Sequence, residues 1–234
     1  MEIFLDTANL DEIRSVLPWG IISGLTTNQK ILLREKGVDL RRHMEKILSL
    51  VDGPVSMEVT SSSLEELVEE AREYASWGQQ VVIKVPMWAD GRGLRAVSIL
   101  ESEGIKTNMT ALMSTNQVLL AASAGATFAS IFFNRIRDFG DDPMRVIRES
   151  KQLLSSDDFK TRLIVGSIRR PEDVVEAAIS GADVITIPYK ILVQMPFHPK
   201  TVDTIKEFDR AWEEFRQAQM VEGVQQVEPG RLGR

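Results

Sequence analysis

Short apolar runs alternate with longer amphipathic stretches along almost the whole chain. The runs are too short for helices and rich in β-branched residues, which is typical of strands buried on both faces of a parallel sheet. The stretches between them carry apolar residues at helical spacing. The predicted strands are Ile3–Asp6, Ile21–Thr26, Val55–Thr60, Val81–Pro86, Ile105–Asn108, Thr127–Phe133, Arg162–Gly166 and Asp183–Ile187.

Strands that are each followed by a helix, with no linker between units, predict an α/β protein with the (β/α)8 or TIM-barrel fold. A doubly wound sheet is the alternative. It usually carries a glycine-rich dinucleotide turn, and no G-x-G-x-x-G occurs here. We expect one catalytic domain over residues 1–219, including an extra C-terminal helix at 201–219. The proline and glycines of residues 220–234 predict a loosely ordered tail.

Composition narrows the possible functions. The 234 residues carry a net charge of -6, which argues against nucleic acid or an anionic membrane as the main partner. The absence of cysteine excludes disulfides, cysteine nucleophiles and cysteine-ligated metals, and His43 and His198 are too isolated to suggest a metal site. Neither a signal peptide nor an apolar run of membrane-spanning length is found, so we expect a cytoplasmic protein.

Lys84 is the one charged residue in the apolar run from Val81 to Met87. A buried ammonium is costly unless it is paired or loses its proton. A neutral lysine is a nucleophile that forms Schiff bases with carbonyl compounds. The alternative is a lysine near the strand end that extends its amine to water. This segment alone leaves both interpretations open.

Polar residues gather near the carboxyl ends of the predicted strands, where TIM barrels place their active sites. Many lie two positions apart, so their side chains face the same side of the strand. Strand eight, by contrast, is interpreted as apolar up to Pro188. The candidate site residues are Asp6, Thr26, Asn28, Glu58, Lys84, Asn108, Thr110, Ser130, Phe132, Arg135, Ser167 and Arg169.

Each candidate also has an ordinary structural explanation. Asn28 is suited to cap a helix, Glu58 to pair structurally with Lys84, and the arginines to lie at the surface. Those explanations do not account for the clustering at successive strand ends. A desolvated amine, carboxylates, hydroxyls and an arginine clamp together favour a Schiff-base reaction of the aldolase type on a sugar phosphate.

Several short motifs follow one another in order over residues 1 to 215. They are FLDTAN at 4, GLTTN at 24, VIKVP at 82, GIKTNMT at 104, AGAT at 124, NR at 134, GSIR at 166 and AISGADVITIP at 178. The ordered set resembles the transaldolase family, in particular its small subfamily that includes fructose-6-phosphate aldolase. The resemblance implies a TIM barrel that needs neither metal nor cofactor.

The resemblance also implies roles for the candidate residues. Lys84 would form the Schiff base and Asp6 would transfer protons. Glu58 and Thr110 would hold the catalytic water, with Glu58 as acid and base. The substrate contacts it suggests are Thr26, Asn28, Asn108, Ser130, Phe132, Arg135, Ser167 and Arg169.

The implied reaction moves a dihydroxyacetone unit from fructose 6-phosphate or sedoheptulose 7-phosphate to an aldose phosphate. Relatives of the transaldolase kind tend to carry glutamate and phenylalanine beside the catalytic water, as Glu58 and Phe132 do here. Relatives of the aldolase kind carry glutamine and tyrosine. We therefore expect a transaldolase, with an aldolase that releases free dihydroxyacetone and glyceraldehyde 3-phosphate as the alternative.

Other possibilities stay open at this point. Gln29 and Lys30 replace the proline and serine that usually follow TTN, and Ile131 replaces a common proline, so another anionic ketose is a possible donor. A silent sugar-phosphate-binding barrel is disfavoured because Lys84, Asp6 and Glu58 are all present.

The last helix carries an apolar stripe. It consists of Ile205, Phe208, Trp212 and Phe215. Its ordinary explanation is packing against its own barrel, whereas the resemblance implies packing on a neighbouring subunit of a homo-oligomer, a pentamer or decamer.

Overall fold

Eight parallel strands close into one barrel in the computed structural model, which describes residues 1–156 and 159–225. Each strand pairs with the next along the chain, and the last pairs with the first. This architecture confirms the predicted TIM barrel. The strands are β1 Glu2–Asp6, β2 Ile22–Thr26, β3 Val55–Glu58, β4 Val81–Pro86, β5 Thr107–Leu112, β6 Phe128–Phe132, β7 Arg162–Gly166 and β8 Val184–Pro188.

Helices connect the strands and cover the barrel. Polar residues cap the amino ends of several of these helices. For example, the Ser63 hydroxyl accepts a hydrogen bond from the Glu66 amide. The α-helices are α1 Leu10–Val16, α2 Gln29–Leu32, α3 Leu40–Leu48, α4 Leu64–Ala75, α5 Arg92–Ser102, α6 Thr115–Ser123, α7 Phe133–Phe139, α8 Pro143–Ser156, α9 Pro171–Ile179, α10 Tyr189–Leu192 and α11 Pro199–Gln225.

Two compact units divide the chain. The first, Met1–Leu192, contains the barrel, and the second begins at Val193 and contains α11. The predicted single domain over 1–219 therefore stays a prediction. Of the predicted tail, residues 220–225 belong to α11, and residues 226–234 lie outside the described residues. Within the described ranges, no helix combines the length and the apolar character needed to cross a membrane.

Apolar side chains fill the part of the barrel lumen that lies towards the amino ends of the strands. They are Phe4, Val82, Phe128, Ile164 and Val184. A larger core lies between the strands and their covering helices. Because side chains on a strand alternate between faces, the residue two positions later on each of these strands also faces the lumen. Those residues are Asp6, Lys84, Ser130, Gly166 and Thr186. The apolar floor thus places a polar layer directly above it.

The fifth strand begins later than its apolar residues suggested. The prediction was Ile105–Asn108, whereas β5 starts at Thr107 and continues past Thr110. Gly104 adopts a left-handed conformation with φ of 78°, and the Ile105 amide donates to the Leu100 carbonyl, so Ile105 is part of the capping turn that ends α5.

The sixth strand also ends earlier than predicted. It ends at Phe132, and α7 starts at the next residue, where the sequence predicted no helix. The predicted strand extended to Phe133, which instead is the first residue of α7 and is fully buried.

Candidate active site

Lys84 lies inside the barrel on β4, with only 5% of its surface exposed. Its Nζ lies 3.4 Å from Oε2 of Glu58 and donates a hydrogen bond to the Thr27 carbonyl at 3.2 Å. The amine therefore does not extend to bulk water. It is a buried cation paired with a carboxylate on the neighbouring strand, which allows a proton to pass between the two groups.

A cavity of about 140 Å³ lies above the apolar floor at the carboxyl ends of the strands. Most of the predicted site residues line it, which brings residues far apart in sequence into one space. The lining consists of Asp6, Thr26, Asn28, Lys84, Ser130, Phe132, Arg135, Gly166, Ser167 and Thr186.

Asp6 sits at the end of a chain of hydroxyl groups. Thr26 donates to Oδ1 of Asp6 at 2.7 Å, and the Thr26 and Thr186 hydroxyl oxygens are 2.5 Å apart. Since the Thr26 proton goes to Asp6, Thr186 must donate to Thr26. Burial raises the pKa of Asp6, an effect that the Lys84 charge and the Thr26 hydrogen bond partly oppose.

Thr186 is a site residue that the sequence analysis missed, because β8 was interpreted as apolar. That interpretation was wrong: the Thr186 hydroxyl lines the cavity and is buried. The sequence did offer a signal: Thr186 is a hydroxyl-bearing residue near the carboxyl end of a predicted strand, where the polar residues of the other strands also lie.

Asn108 contacts the cavity only through its neighbours. The Ser130 hydroxyl donates to Oδ1 of Asn108 at 2.7 Å, and Nδ2 of Asn108 donates to the Ser56 hydroxyl at 3.1 Å. Asn108 is fully buried, and of these three residues Ser130 alone lines the cavity. The amide therefore fixes the orientation of the Ser130 hydroxyl, including which way its proton points.

Glu58 and Thr110 flank Lys84 on the two adjacent strands. Glu58 on β3 pairs in register with Lys84, and Thr110 on β5 pairs with Pro86. The Thr110 hydroxyl is buried and, within the part of the chain that the structure describes, has no hydrogen-bond partner. A buried hydroxyl of this kind is suited to bind a small polar molecule.

The rim of the cavity combines capping, aromatic and cationic groups. Asn28 accepts a hydrogen bond from the Ile31 amide at 3.1 Å and also lines the cavity, so its capping and site roles coexist. The Arg135 guanidinium lies 5.6 Å from the centre of the Phe132 ring, within the range of a cation–π interaction. Ser167 holds a left-handed backbone with φ of 60°, an uncommon conformation for a residue with a side chain.

Arg169 does not line the cavity. Its guanidinium forms a two-point ion pair with Asp138, at 2.9 and 2.6 Å, and about half of its side chain is exposed. Arg169 would have to leave Asp138 to reach a substrate in the lumen, so its role as a substrate contact stays a prediction.

A family model described as Transaldolase/Fructose-6-phosphate aldolase matches residues 3–227. The chain belongs to this transaldolase and aldolase family. Among its relatives, a protein of Roseiflexus castenholzii named "Probable transaldolase" is 45% identical over 217 residues, which cover 93% of this chain and 99% of the relative. A protein of the same name from Carboxydothermus hydrogenoformans is 48% identical over 213 residues, 91% of this chain and 98% of the relative.

Solved structures share the barrel with this family member but not its sequence. A flavocytochrome b2 with benzoylformate superposes with a TM-score of 0.59 at 14% identity, over 81% of this chain and 57% of that one. A mandelate oxidase gives 0.57 at 13% identity, over 80% of this chain and 64% of that one. At such low identity the likeness shows the fold alone.

The transaldolase-family site thus offers an amine for covalent attack, two carboxylates for proton transfer, and an arginine at the rim. In the described residues, no group of three or more His, Cys, Asp and Glu side chains is placed to hold a metal ion.

Proposed function

We propose that the protein is a transaldolase that moves a dihydroxyacetone unit between sugar phosphates through a Schiff base on Lys84. The observation that carries this proposal is the position of the Lys84 amine. It lines the lumen cavity together with Asp6 and lies 3.4 Å from Glu58. The family and the names of two close relatives support the same reaction.

Schiff-base formation needs a neutral amine and a route for protons. In our proposal Glu58 takes a proton from the Lys84 ammonium, and the amine adds to the C2 carbonyl of the ketose. The carbonyl oxygen is protonated and leaves as water, with Glu58 returning the proton through a water molecule held with the Thr110 hydroxyl. The hydroxyl of Thr110, which is buried and has no hydrogen-bond partner among the described residues, supports this assignment.

Asp6 is proposed to drive the carbon–carbon step. It removes the proton from the C4 hydroxyl, the C3–C4 bond breaks, and its electrons enter the Schiff base to form an enamine. The aldose phosphate leaves, a second one enters, and the enamine attacks its aldehyde carbon while Asp6 returns the proton. A carboxyl whose pKa is raised by burial is well suited to accept and return a proton.

The remaining predicted residues are proposed to hold the substrate. Asn28, Thr26 and Ser130 line the cavity and can bind the hydroxyls of the dihydroxyacetone unit, and Asn108 orients Ser130. Arg135 and the Ser167 hydroxyl lie at the rim, where the phosphate of a bound ketose would end. Arg169 joins them only if it releases Asp138.

Phe132 favours transfer over release. Its ring lines the cavity that holds Lys84 and carries no hydroxyl to protonate the enamine. The covalent intermediate would then wait for an acceptor aldehyde. An aldolase that frees dihydroxyacetone is the competing function.

Borohydride trapping tests the covalent step. Wild-type protein treated with fructose 6-phosphate and borohydride should gain the mass of one reduced dihydroxyacetone unit, located on Lys84 by peptide mapping. Lys84→Met should gain none. A Lys84→Met protein that still transfers carbon would contradict the proposal.

Product analysis separates the two functions. With fructose 6-phosphate as donor, a transaldolase forms sedoheptulose 7-phosphate when erythrose 4-phosphate is added and little free dihydroxyacetone without it. Equal release of dihydroxyacetone with and without the acceptor would identify an aldolase instead.

We further propose that the protein acts in the cytoplasm on metabolites of the pentose phosphate pathway, without nucleic acid or membrane partners, and as a homo-oligomer of five or ten chains. The net charge of -6 and the chemistry of the substrates support the first part. The apolar stripe of α11 supports the second, since Ile205, Phe208, Trp212 and Phe215 are each at least half exposed in the single chain.

A further inference from the structure

Asp173 in the first turn of α9 is a fully buried carboxylate outside the lumen cavity. Its Oδ2 accepts hydrogen bonds from the backbone amides of Arg169 and Arg170, at 2.9 and 3.0 Å, and from Nδ2 of Asn134 at 2.6 Å. Its Oδ1 accepts from the guanidinium groups of Arg137 at 2.9 Å and Arg170 at 3.1 Å. One carboxylate therefore satisfies five donors from two separate segments.

These bonds join α7 to the loop between β7 and α9. Asn134 on α7 donates to the Ser167 carbonyl at 2.8 Å with the same Nδ2 group that donates to Asp173. Arg135, the rim arginine, is the next residue on α7, and Ser167, the rim serine, opens the loop.

The conformation of Ser167 requires such support. With φ of 60°, Ser167 occupies a strained region that side-chain-bearing residues rarely adopt unless their surroundings hold them there. The Asn134 contact on its carbonyl and the Asp173 contacts on the amides of Arg169 and Arg170 hold the backbone that directly follows this residue. The Asp173 network thus maintains a strained residue at the edge of the substrate cavity.

We propose that Asp173 is a positioning residue for the anionic end of the substrate, because it holds the loop that carries Ser167 against the helix that carries Arg135. This inference rests on the proposed transaldolase function. Asp173 does not touch the substrate; it acts through the loop backbone and through Asn134.

The effect should fall on phosphorylated substrates. Asp173→Asn replaces one acceptor oxygen by an amino group facing other donors, so the rim loses its fixed geometry. We expect KM for erythrose 4-phosphate to rise and kcat/KM to fall by about tenfold or more, as displacements of about 1 Å commonly cause. For unphosphorylated erythrose the loss should stay below about threefold, since its binding does not use the anion clamp. The ratio of the two kcat/KM values is the readout.

Asp183→Asn is the matched control. Asp183 lies just before β8 at the opposite end of the barrel, where it accepts from the Leu163 amide at 2.9 Å and pairs with Lys151 at 2.5 Å. It should lose thermal stability with no change in the substrate ratio. Asn134→Ala, which removes the link to the Ser167 carbonyl but leaves the arginines on Asp173, should shift the ratio in the same direction and replaces Asp173→Asn if that variant does not fold.

The inference is overturned if the variants lose activity equally with both acceptors, or if their ratio equals that of wild type. Failure of the proposed function looks different: wild-type protein would then form no borohydride-trapped adduct and transfer no carbon.

Discussion

At the scale of single residues, the hydroxyl that Phe132 lacks is proposed to decide between transfer and release. A tyrosine at this position would place a proton donor at the edge of the cavity that contains Lys84. We expect Phe132→Tyr to raise the rate of free dihydroxyacetone release about tenfold or more, with slower transfer to erythrose 4-phosphate.

The control for this change is Phe132→Leu, which alters the ring without adding a donor. Phe132→Leu should slow both reactions and leave their proportion near that of wild type. If the tyrosine variant releases no more dihydroxyacetone than the leucine variant, the argument from the missing hydroxyl fails.

Asp6, the proposed proton carrier, is a carboxylate whose burial reduces stability. Burial raises its pKa in the folded state, so between its ordinary value of 3.8 and the raised value the folded protein binds more protons than the unfolded chain. Stability therefore falls as pH rises through this interval. Asp6→Asn has no carboxylate to ionise, so it avoids this loss of stability. It should unfold at higher urea concentration than wild type at pH 8, with the difference shrinking towards pH 4. Transfer activity should fall by about 100-fold or more.

Exposed Asp11, whose side chain is 93% accessible, supplies the control for this pH series. Asp11→Asn should not raise the urea midpoint at pH 8. An Asp6→Asn protein less stable than wild type at pH 8 would show that the attraction to Lys84 outweighs the cost of burial.

The sequence made some site residues visible and hid others. Lys84 was detectable because a charge inside an apolar strand requires an explanation. The engagement of Arg169 by Asp138 was not, since an ion pair between residues 31 positions apart depends on where two helices and a loop meet. The same holds for Asp173, whose five donors come from two segments that only the folded barrel brings together.

At the scale of whole elements, a single carboxylate ties the beginnings of two strands together. Oε1 of Glu101 on α5 accepts from the amide and hydroxyl of Thr107, at 2.8 and 2.6 Å, and from the same two groups of Thr127, both at 2.8 Å. These contacts lie at the amino ends of β5 and β6, the end of a TIM barrel that serves stability rather than catalysis.

Glu101→Leu should lower the free energy of unfolding by about 2–3 kcal/mol, because it leaves buried donors without a partner. Glu101→Gln keeps the accepting oxygen and should cost less. Neither should change KM. Exposed Glu103, paired with Arg72 on the surface, gives the comparison: in urea unfolding, Glu103→Leu should lower stability much less than Glu101→Leu does. Equal losses at both positions would remove the special role of Glu101.

Elements were predictable where the apolar run had clear ends, as for β4 and β7, whose predicted bounds match the structure. The start of β5 was not, because the carboxylate of Glu101 and the left-handed Gly104 set it through tertiary contacts. Helix α7 was missed because it follows β6 without a single intervening residue, so the strand pattern masked it.

At the scale of the whole molecule, the exposed stripe of α11 is proposed to hold chains together. Trp212 and Phe215 stack with ring centres 5.4 Å apart, and Phe208 is 68% exposed. Apolar side chains of this size gain free energy when a partner covers them, about 25 cal/mol for each Å² removed from water. We therefore expect light scattering to give wild type a mass of five or ten chains of 26.3 kDa.

Charges placed on the stripe should disrupt that assembly. The double variant Phe208→Glu, Trp212→Glu would bury two unpaired carboxylates at each contact, so its mass should fall towards that of smaller species. Gln217→Glu adds charge to the same helix at an exposed position about 140° around the axis from Trp212, and should keep the wild-type mass. A wild type of one chain, or a double variant of unchanged mass, would show that the stripe does not mediate assembly. Retained carbon transfer in smaller species would further show that each barrel contains a complete active site.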